Sequence, residues 1–206
     1  MTLYLVLAAL LGYLLGNVQS AVIISRLKFH DDVRNHGSGN AGSTNMLRVY
    51  GLKPGLTTFV FDSLKGIFGV LVGRWLAGET GAYAAALFVV IGHDFPVLFK
   101  FKGGKGVAST LSILWMLSPK YGAIVTVIAI IILLSTRIVS LTSITSMTIY
   151  LLLVLIFEWG NVYFLLLITA LWALMLVRHV DNIKRLLRGE ESRLFERKKQ
   201  KSTHNG

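Results

Sequence analysis

The 206-residue chain contains no cysteine and few acidic residues: it has 10 aspartates and glutamates but 21 lysines and arginines. The absence of cysteine excludes a disulfide framework, a thiolate nucleophile, Cys-bound zinc and iron–sulfur chemistry. Charged residues make up 15% of the chain and hydrophobic residues 54%, with a mean hydropathy of +0.65. Soluble domains average about 45–50% apolar residues. We therefore expect an integral membrane protein rather than a soluble or nucleic-acid-binding one.

Several catalytic signatures are also missing. The chain has no HExxH zinc motif, no GxSxG nucleophile elbow and no GxxxxGK[ST] phosphate loop. The HxxxxD pattern of one large acyltransferase class fails too, because the positions five residues after His30, His36, His93 and His179 hold no aspartate. The sequence thus predicts no metal, no cofactor and no nucleotide hydrolysis.

Long apolar segments predict an all-α integral membrane protein with seven transmembrane helices. The residues before the first segment lack the basic region of a cleaved signal peptide, so we interpret this segment as a transmembrane helix. A span needs about 20 apolar residues, so the fourth and fifth segments are short, and their ends near Ser118–Lys120 are uncertain. The predicted spans are Leu3–Ile24, Gly55–Leu76, Ala82–Phe99, Val107–Leu117, Tyr121–Thr136, Val139–Phe157 and Asn161–Val177.

The basic residues predict the orientation of these spans. With the N-terminus outside and the C-terminus in the cytoplasm, 18 of the 21 lysines and arginines lie on the inner side. The domain prediction is a single membrane domain over residues 1–191 and a basic cytoplasmic tail over residues 192–206. The run Arg197–Lys201 in that tail is typical of a patch that contacts anionic lipid.

The first inner loop has the composition of a phosphate-binding loop. Between Gly37 and Arg48 it combines three glycines with hydroxyl and amide side chains and one arginine. Glycine allows backbone N–H groups to converge on an oxyanion, and arginine adds a bidentate charge. The alternative is a flexible polar loop with a helix N-cap at Thr44 or Asn45.

The second inner loop repeats this pattern. Lys100, Lys102 and Lys105 surround three glycines directly before a helix that should begin near Val107. The free N–H groups and the dipole of a helix N-terminus both favour an anion.

Other polar residues lie next to these loops or inside the spans. Asp62 and Lys65 stand three residues apart in the second span, where they form either a structural ion pair or a support for a catalytic loop. A single histidine at a membrane boundary, such as His93 or His179, is more often a hydrogen-bonded residue than a base. Arg137, Ser140, Ser143, Arg178 and Asn182 should converge on the same side.

Taken together, these motifs resemble the acyl-phosphate-dependent glycerol-3-phosphate acyltransferase family of bacterial membranes, the PlsY type. The resemblance runs from about Leu14 to Glu191, and one departure is Ser43, where the family usually has alanine. The residues that carry it are Gly37–Asn40, Gly42, Thr44, Asn45, Arg48, Asp62, Lys65, Gly66, Gly92, His93, Phe95, Pro96, Phe101–Val107, Arg178, His179, Asn182, Ile183, Arg185 and Leu186.

The resemblance implies transfer of an acyl group from acyl phosphate to the 1-hydroxyl of sn-glycerol 3-phosphate. The products would be 1-acylglycerol 3-phosphate (lysophosphatidate) and phosphate, in the first acylation of phospholipid biosynthesis. It implies a location in the bacterial inner membrane with the active site facing the cytoplasm and membrane lipids as neighbours. It leaves open a transient contact with the soluble synthase that makes acyl phosphate.

The resemblance also implies residue roles. Glycerol 3-phosphate and catalysis would involve Ser38, Arg48, Lys105, Ser143, His179 and Asn182. Acyl phosphate would be bound by Gly39, Asn40, Gly42, Thr44, Asn45, Lys102, Gly103 and Gly104. Asp62, Lys65 and His93 would support the site.

Two questions of mechanism and class remain open at this point. An acyl phosphate carries a good leaving group, so the departing phosphate can accept the hydroxyl proton, whereas the opposing hypothesis makes His93 or His179 the base. The alternative function is a small transporter of anions or phosphate esters, although such a transporter needs a site near the midplane. A non-catalytic lipid-binding scaffold would not need two glycine-rich loops.

Overall fold

The computed structural model describes residues 1–194, and most of these residues are helical, as the sequence predicts. Nine α-helices are connected by short loops, two of which contain 3-10 turns at Val33–Asn35 and Val97–Phe99. The α-helices are α1 Thr2–Gly16, α2 Ser20–Phe29, α3 Ser43–Tyr50, α4 Leu52–Asp94, α5 Val107–Leu117, α6 Pro119–Thr136, α7 Val139–Phe157, α8 Val162–Arg178 and α9 Val180–Leu187.

Each predicted apolar segment is mostly helical, but fewer of them meet the length criterion for a full span. Among the described residues, four stretches are long and apolar enough to cross a membrane: Thr2–Phe29, Leu52–Phe99, Pro119–Thr136 and Val139–Phe157. The bent pair of α8 and α9 makes a fifth. The count of seven spans and the orientation of the termini stay predictions.

The predicted first span, Leu3–Ile24, is wrong as a continuous helix. α1 ends at Gly16 and α2 begins at Ser20. At the break, the Gln19 amide donates to the Gly16 carbonyl at 3.2 Å, and the Asn17 amide donates to the Tyr13 carbonyl at 2.8 Å. A break inside an apolar region is tolerated because such side chains satisfy the freed backbone groups.

The long helix α4 is a hairpin of two arms. The backbone leaves helical geometry at Ala77 and Gly78, and Gly78 takes a φ of 63°, which glycine adopts without strain. Arg74 and Glu79 pair across this turn at 2.7 Å. The two arms correspond to the predicted spans Gly55–Leu76 and Ala82–Phe99.

Several helix ends differ slightly from the predicted boundaries. The second arm of α4 ends at Asp94 instead of Phe99, because Pro96 interrupts the helix and a 3-10 turn follows. The uncertain region near Ser118 is a sharp break, where Ser118 is extended and Pro119 occupies the first turn of α6.

The short helix α5 begins inside the bundle. The Ser109 hydroxyl donates to the Asp62 carbonyl at 2.8 Å, and Asp62 lies ten residues into α4. Eleven residues of α-helix span only about 16 Å, which is half of the hydrocarbon core. The glycine-rich loop before α5 therefore enters the bundle instead of remaining at its end.

The core is formed by small and apolar side chains, and the outer surface is also apolar. Ala8, Gly12 and Gly16 form a buried stripe on α1 that packs closely against the second arm of α4. Residues of α4, α5, α7 and α8 form the main core, with Tyr150 fully buried and its hydroxyl bonded to the Leu114 carbonyl at 3.2 Å. Large side chains such as Ile131 and Leu134 of α6 point outward, as expected for a lipid-facing surface.

Candidate active site

A single large cleft collects most of the polar residues that the sequence singles out. Its volume is 2420 Å³, which is enough for two small substrates side by side. The walls come from the first loop with α3, the glycine-rich loop before α5, the start of α7 and the corner between α8 and α9.

Most of the predicted site residues line this cleft. Gly42, Gly104 and Lys65 are predicted site residues that are not among the lining residues of the described chain. Those that line it are Ser38, Gly39, Asn40, Thr44, Asn45, Arg48, Asp62, His93, Lys102, Gly103, Lys105, Ser143, His179 and Asn182.

Asn45 holds the first loop in shape. Its side-chain oxygen accepts a hydrogen bond from the Ser38 backbone N–H at 2.9 Å. Its amide nitrogen donates to the carbonyls of Val33 and His36, both at 3.1 Å. Because these three bonds occupy the Asn45 amide, its side chain shapes the loop instead of reaching into the cleft.

The N-terminus of α3 opens onto the cleft. α3 begins at Ser43 after Gly42, which is the N-cap residue and has no side chain to cap the helix. The N-cap at Thr44 or Asn45 that an ordinary polar loop would have is therefore not formed. The first N–H groups of a helix have no acceptor within the helix, so they are suited to bind an oxyanion.

The glycine-rich loop is held against the second arm of α4. Gly104 donates its N–H to the His93 carbonyl at 3.1 Å and accepts a hydrogen bond from Arg178 at 2.7 Å. A side chain at Gly104 would collide with the His93 ring, so only glycine fits there. As predicted, the loop leads directly into α5 at Val107.

The three supporting residues form a buried cluster behind this loop. Lys65 pairs with Asp62 at 2.9 Å and contacts His93 Nδ1 at 2.6 Å. It also donates to the Val18 carbonyl at 2.8 Å, in the break between α1 and α2. Since the lysine ammonium is the donor, Nδ1 of His93 is the acceptor. The predicted Asp62–Lys65 ion pair is thus present and ties α4 to the helix break.

A network of polar contacts joins α7, α9 and the glycine-rich loop. The Lys105 ammonium donates to the Asn182 side-chain oxygen. Glu191 accepts hydrogen bonds from the Asn182 amide at 2.6 Å, from Arg185 at 2.6 Å and from the Ser140 hydroxyl at 2.9 Å. Glu191 therefore fixes the orientation of the asparagine that contacts Lys105.

Burial and neighbouring groups change the pKa values of the charged residues in this network. Burial, together with the positive charge of Arg185, lowers the pKa of Lys105 from 10.5 to about 8. Burial by itself would raise the pKa of Glu191, but the hydrogen bonds from Arg185, Asn182 and Ser140 outweigh it and the pKa is lowered. Near neutral pH the cleft thus contains a lysine cation and a glutamate anion.

His179 and Ser143 stand on the same wall. Nδ1 of His179 lies 2.8 Å from the Met175 carbonyl, which places the proton on Nδ1 and leaves Nε2 as an acceptor. The Ser143 hydroxyl donates to the Val139 carbonyl at 2.9 Å, and its oxygen keeps acceptor capacity. Across the cleft, Arg48 donates to the Ser192 hydroxyl at 3.0 Å.

Arg34 connects the two glycine-rich loops. Its guanidinium pairs with Asp32 at 2.7 Å and donates to the carbonyls of Phe99 at 3.3 Å and Lys102 at 3.1 Å. Hydrogen bonds from Arg34 also hold the pKa of Asp32 well below its usual range. We call this group of contacts the Asp32–Arg34 clamp.

Sequence reasoning missed two residues of the site and gave two others no role. Arg34 and Glu191 lie in the cleft wall and were missed, whereas Arg178, which holds Gly104, and Arg185 belong to the motifs but had no role assigned. Residue type alone gave no strong signal for them, because charged residues in basic loops are usually solvent-exposed. A signal was available for Glu191, which is one of few acids among the basic residues after α8.

The helix α9 follows the last predicted span, and the described chain continues from it into the first residues of the predicted basic tail. The run Arg197–Lys201 lies outside the described residues. Arg137, directly after α6, accepts a hydrogen bond at its carbonyl from the Leu194 N–H at 2.6 Å. The described chain after α9 therefore returns to the α6–α7 connection, next to the cleft.

Comparisons with known proteins show which family the chain belongs to. The family model for glycerol-3-phosphate acyltransferase matches residues 6–189. The glycerol-3-phosphate acyltransferase of Thermoanaerobacter sp. strain X514 is 43% identical over 192 residues, which is 93% of this chain and 96% of the relative. That of Finegoldia magna is 39% identical over 192 residues, which is 93% of this chain and 97% of the relative.

Two crystal structures show the same fold. They are of PlsY (YgiH), an integral membrane glycerol 3-phosphate acyltransferase, in a glycerol 3-phosphate form and a lysophosphatidic acid form. The TM-scores are 0.85 and 0.82, the identities 38% and 35%, and each comparison covers 92% of this chain and 94% of the other. The chain belongs to the glycerol-3-phosphate acyltransferase family, of the PlsY type, and is an acyltransferase.

Proposed function

We propose that this acyltransferase uses acyl phosphate as donor and transfers its acyl group to the 1-hydroxyl of sn-glycerol 3-phosphate. The hydroxyl oxygen attacks the acyl carbonyl carbon, the bond between that carbon and the phosphate oxygen breaks, and inorganic phosphate leaves. The products are 1-acylglycerol 3-phosphate and phosphate, as in the first acylation of phospholipid biosynthesis. The relatives named above are glycerol-3-phosphate acyltransferases, and one solved relative is in a lysophosphatidic acid form.

The observation that carries this proposal is that one cleft brings together two separate anion-binding regions. The N-terminus of α3 with Arg48 lies on one wall, and the glycine-rich loop with Lys105 lies on another. Both proposed substrates contain a phosphate, and the two regions together offer donors for two phosphates. Holding both reactants in one geometry supplies much of the rate enhancement for acyl transfer.

The glycerol 3-phosphate is assigned to the wall around Lys105. The ammonium of Lys105 and the guanidinium of Arg48 would bind its phosphate, while Asn182 orients Lys105. Ser38, Ser143 and His179 would hold the glycerol hydroxyls, since each offers a polar atom at the cleft.

The acyl phosphate is assigned to the two glycine-rich loops. The backbone from Gly39 to Thr44 and the segment Lys102–Gly104 would bind its phosphate, with Asn45 holding the first loop in shape. The free N–H groups at the start of α5 lie directly after that segment. Such donors also stabilise the negative charge that develops in the transition state.

The departing phosphate would accept the proton of the attacking hydroxyl. Supporting this, Nδ1 of His93 is occupied by Lys65, and Glu191 already accepts three hydrogen bonds. The competing base is His179, whose Nε2 keeps its lone pair. Replacing His93 and His179 each by Ala and Gln separates the two mechanisms: a loss of kcat above roughly 10²-fold with KM preserved would refute the substrate-assisted one.

The membrane placement follows the charge distribution. We place the protein in the bacterial inner membrane with the cleft facing the cytoplasm, because basic residues are concentrated in the loops that form the cleft. A transient contact with the soluble synthase that makes acyl phosphate is compatible with a cleft that opens to that side.

The donor is tested by an assay with purified enzyme in lipid vesicles. Labelled glycerol 3-phosphate is offered with palmitoyl phosphate or with palmitoyl-CoA, and lysophosphatidate and phosphate are measured. We expect equal amounts of both products from palmitoyl phosphate and none from palmitoyl-CoA. Product from palmitoyl-CoA alone would exclude acyl phosphate as the donor while leaving the acyltransferase assignment intact.

A further inference from the structure

Polar side chains join the first helix and the break after it to the chain that follows α4. The Gln19 amide, in the break between α1 and α2, donates to the His93 carbonyl at 3.1 Å. The Tyr13 hydroxyl of α1 donates to the Phe95 carbonyl at 2.9 Å. Both acceptors belong to residues 93–98, which we call the α4 corner. Neither Gln19 nor Tyr13 has a role in the reaction described above.

The α4 corner depends on hydrogen-bond partners from outside its own helix. The last four carbonyl groups of a helix have no donor within that helix. The helix α4 ends at Asp94, so the His93 carbonyl is one of these groups. At the other end of the corner, the Asn17 side-chain oxygen accepts a hydrogen bond from the Leu98 N–H at 3.3 Å. The first helix and its break therefore bind backbone groups at both ends of the corner.

Glycines let the two backbones approach closely enough for these contacts. A side chain at Gly16 would collide with the His93 backbone, and a side chain at Gly92 would collide with the Tyr13 carbonyl. Gln19 is fully buried at this junction, so water cannot replace its hydrogen bonds. The position of the α4 corner is thus set by direct contact with the first helix.

Gln19 does more than stabilise the helix break. Its amide nitrogen has two hydrogens, and it donates to the Gly16 carbonyl at 3.2 Å as well as to the His93 carbonyl. The first of these bonds closes the break, whereas the second reaches a residue 74 positions away. The His93 carbonyl also accepts the Gly104 N–H at 3.1 Å, so both of its lone pairs are used.

This shared carbonyl oxygen connects Gln19 to the proposed acyl phosphate site. Gly104 is the last residue of the segment Lys102–Gly104, which is assigned to the phosphate of the donor. Gly104 is held from its other side by Arg178, which donates to its carbonyl at 2.7 Å. A shift of the His93 carbonyl would therefore move the Gly104 N–H directly, although Gln19 itself does not touch the cleft.

We infer that Gln19 and Tyr13 are positioning residues, which act through the α4 corner and hold the segment Lys102–Gly104 in place for the acyl phosphate. This inference rests on the proposed function, because that function assigns the donor phosphate to this segment. Small misplacements of a binding segment are costly even when the mutated residue is distant from the substrate. The effect should fall mainly on the donor, since Arg48 and Asn182 hold the proposed glycerol 3-phosphate site from other walls.

The test is steady-state kinetics of Gln19→Met and Tyr13→Phe, with each substrate varied in turn. Methionine has nearly the length of glutamine but cannot donate, and Tyr13→Phe removes only a hydroxyl group. We expect the KM for palmitoyl phosphate to rise by about fivefold in Gln19→Met, as for the loss of one hydrogen bond, and to rise also in Tyr13→Phe. The KM for glycerol 3-phosphate should change by less than about twofold. A KM does not depend on the fraction of enzyme that is folded, so lost stability alone cannot produce this difference.

Asn161→Ala is the matched control. Asn161 is the N-cap residue of α8, as Gln19 is of α2, and its side-chain oxygen accepts a hydrogen bond from the Phe164 N–H at 3.2 Å. It is not among the residues that line the cleft. We expect this variant to have a lower thermal stability, because it loses a helix cap, and to keep both KM values.

An unchanged KM for palmitoyl phosphate in Tyr13→Phe and in folded Gln19→Met would overturn the inference, while the acyl phosphate reaction stands. Tyr13→Phe gives this answer by itself if Gln19→Met does not fold. An equal rise in both KM values would also reject the inference, because it would show a general disturbance of the cleft. If the unmodified enzyme makes no product from palmitoyl phosphate, the proposed function fails and the inference fails with it, before any variant is measured.

Discussion

At the scale of single residues, the site depends on a few side chains whose partners determine their roles. Lys105 lies in the glycine-rich loop and Asn45 in the first turn of α3, and the two act differently. Lys105 presents a cation to the cleft and is oriented by its contact with Asn182, whereas the Asn45 amide is hydrogen-bonded to three backbone groups. The residue types alone do not distinguish these roles, because either side chain can bind a phosphate.

The lowered pKa of Lys105 predicts that enzyme activity depends on pH. Its pKa is lowered to about 8 by burial and by Arg185, so the cation is present below this pH and lost above it. The kcat/KM for glycerol 3-phosphate should therefore fall as the pH rises through about 8, since kcat/KM reports the free enzyme. The second ionisation of a phosphate ester, at about pH 6, is complete in this range.

The control for this prediction is Lys105→Arg. Arginine stays charged, so the kcat/KM of this variant should be lower overall but flat between pH 7.5 and 9.5. A variant profile that still falls near pH 8 would show that a different group titrates.

At this scale the sequence predicted most of the residues that line the cleft, but it did not predict the contacts between them. Glycines, hydroxyls and basic residues in the loops pointed to a phosphate site, and most of those residues do line one cleft. Glu191 was missed because its importance comes from three partners that are 6, 9 and 51 residues away along the chain. Such convergence is a property of the fold and leaves no local pattern.

At the scale of structural elements, the two glycine-rich loops act as a pair. The Asp32–Arg34 clamp ties the first loop to the second through the carbonyls of Phe99 and Lys102. Arg178 and His93 hold the second loop from behind at Gly104. The distance between the two proposed phosphate sites is thus set by side-chain contacts between the loops.

We predict that Arg34→Lys lowers kcat by about tenfold with little change in thermal stability. Lysine keeps the charge and can still pair with Asp32, but it cannot make the planar set of contacts that spans both loops. Small misplacements of reacting groups are costly, even when the mutated residue does not touch the substrate. Initial rates with both substrates and thermal unfolding in detergent measure the two effects.

Arg26→Lys is the matched control. Arg26 also pairs with Asp32, at 2.9 Å, but its side chain is 56% exposed, and an exposed ion pair contributes little. We expect this variant to behave like the unmodified enzyme. Equal kinetics for Arg34→Lys and Arg26→Lys would mean that the clamp does not position the loops.

Helix positions were predicted well from hydropathy, and their interruptions less well. α5 and α7 begin and end where the sequence predicted, and their ends lie next to the glycine-rich loop, Pro119 and Arg137. The break at Asn17–Gln19 was missed because the segment is uncharged throughout. The break is stabilised by the local hydrogen bonds of Asn17 and Gln19 and also by a distant partner, the Lys65 ammonium that bonds to the Val18 carbonyl.

At the scale of the whole molecule, the polar groups gather in one cleft and the remaining surface is largely apolar. This arrangement suits an enzyme that takes a water-soluble acceptor from one side and a lipid-like donor from the membrane. The sequence could predict the helical membrane class, since that depends on composition. It could not predict that α5 starts inside the bundle, because this depends on how α5 packs against Asp62.

The orientation of the chain can be measured directly, because the natural sequence has no cysteine. Single cysteines are introduced at Gly160, in the connection between α7 and α8, and at Lys184, on α9; both positions are exposed. With an impermeant maleimide on intact cells, we expect labelling of Gly160→Cys alone. Both variants should react after permeabilisation, and labelling of Lys184→Cys in intact cells would reverse the predicted orientation.

The central claim is that this cleft transfers an acyl group to glycerol 3-phosphate, and one measurement tests it most directly. Lysophosphatidate formation from palmitoyl phosphate is compared in Arg48→Ala and in Arg74→Ala, where Arg74 lies at the turn of α4 away from the cleft. We predict that Arg48→Ala loses about 10²-fold or more in kcat/KM, because it removes a charged phosphate contact, while Arg74→Ala keeps its activity. A folded Arg48→Ala enzyme that works as well as Arg74→Ala would contradict the assignment of the reaction to this cleft.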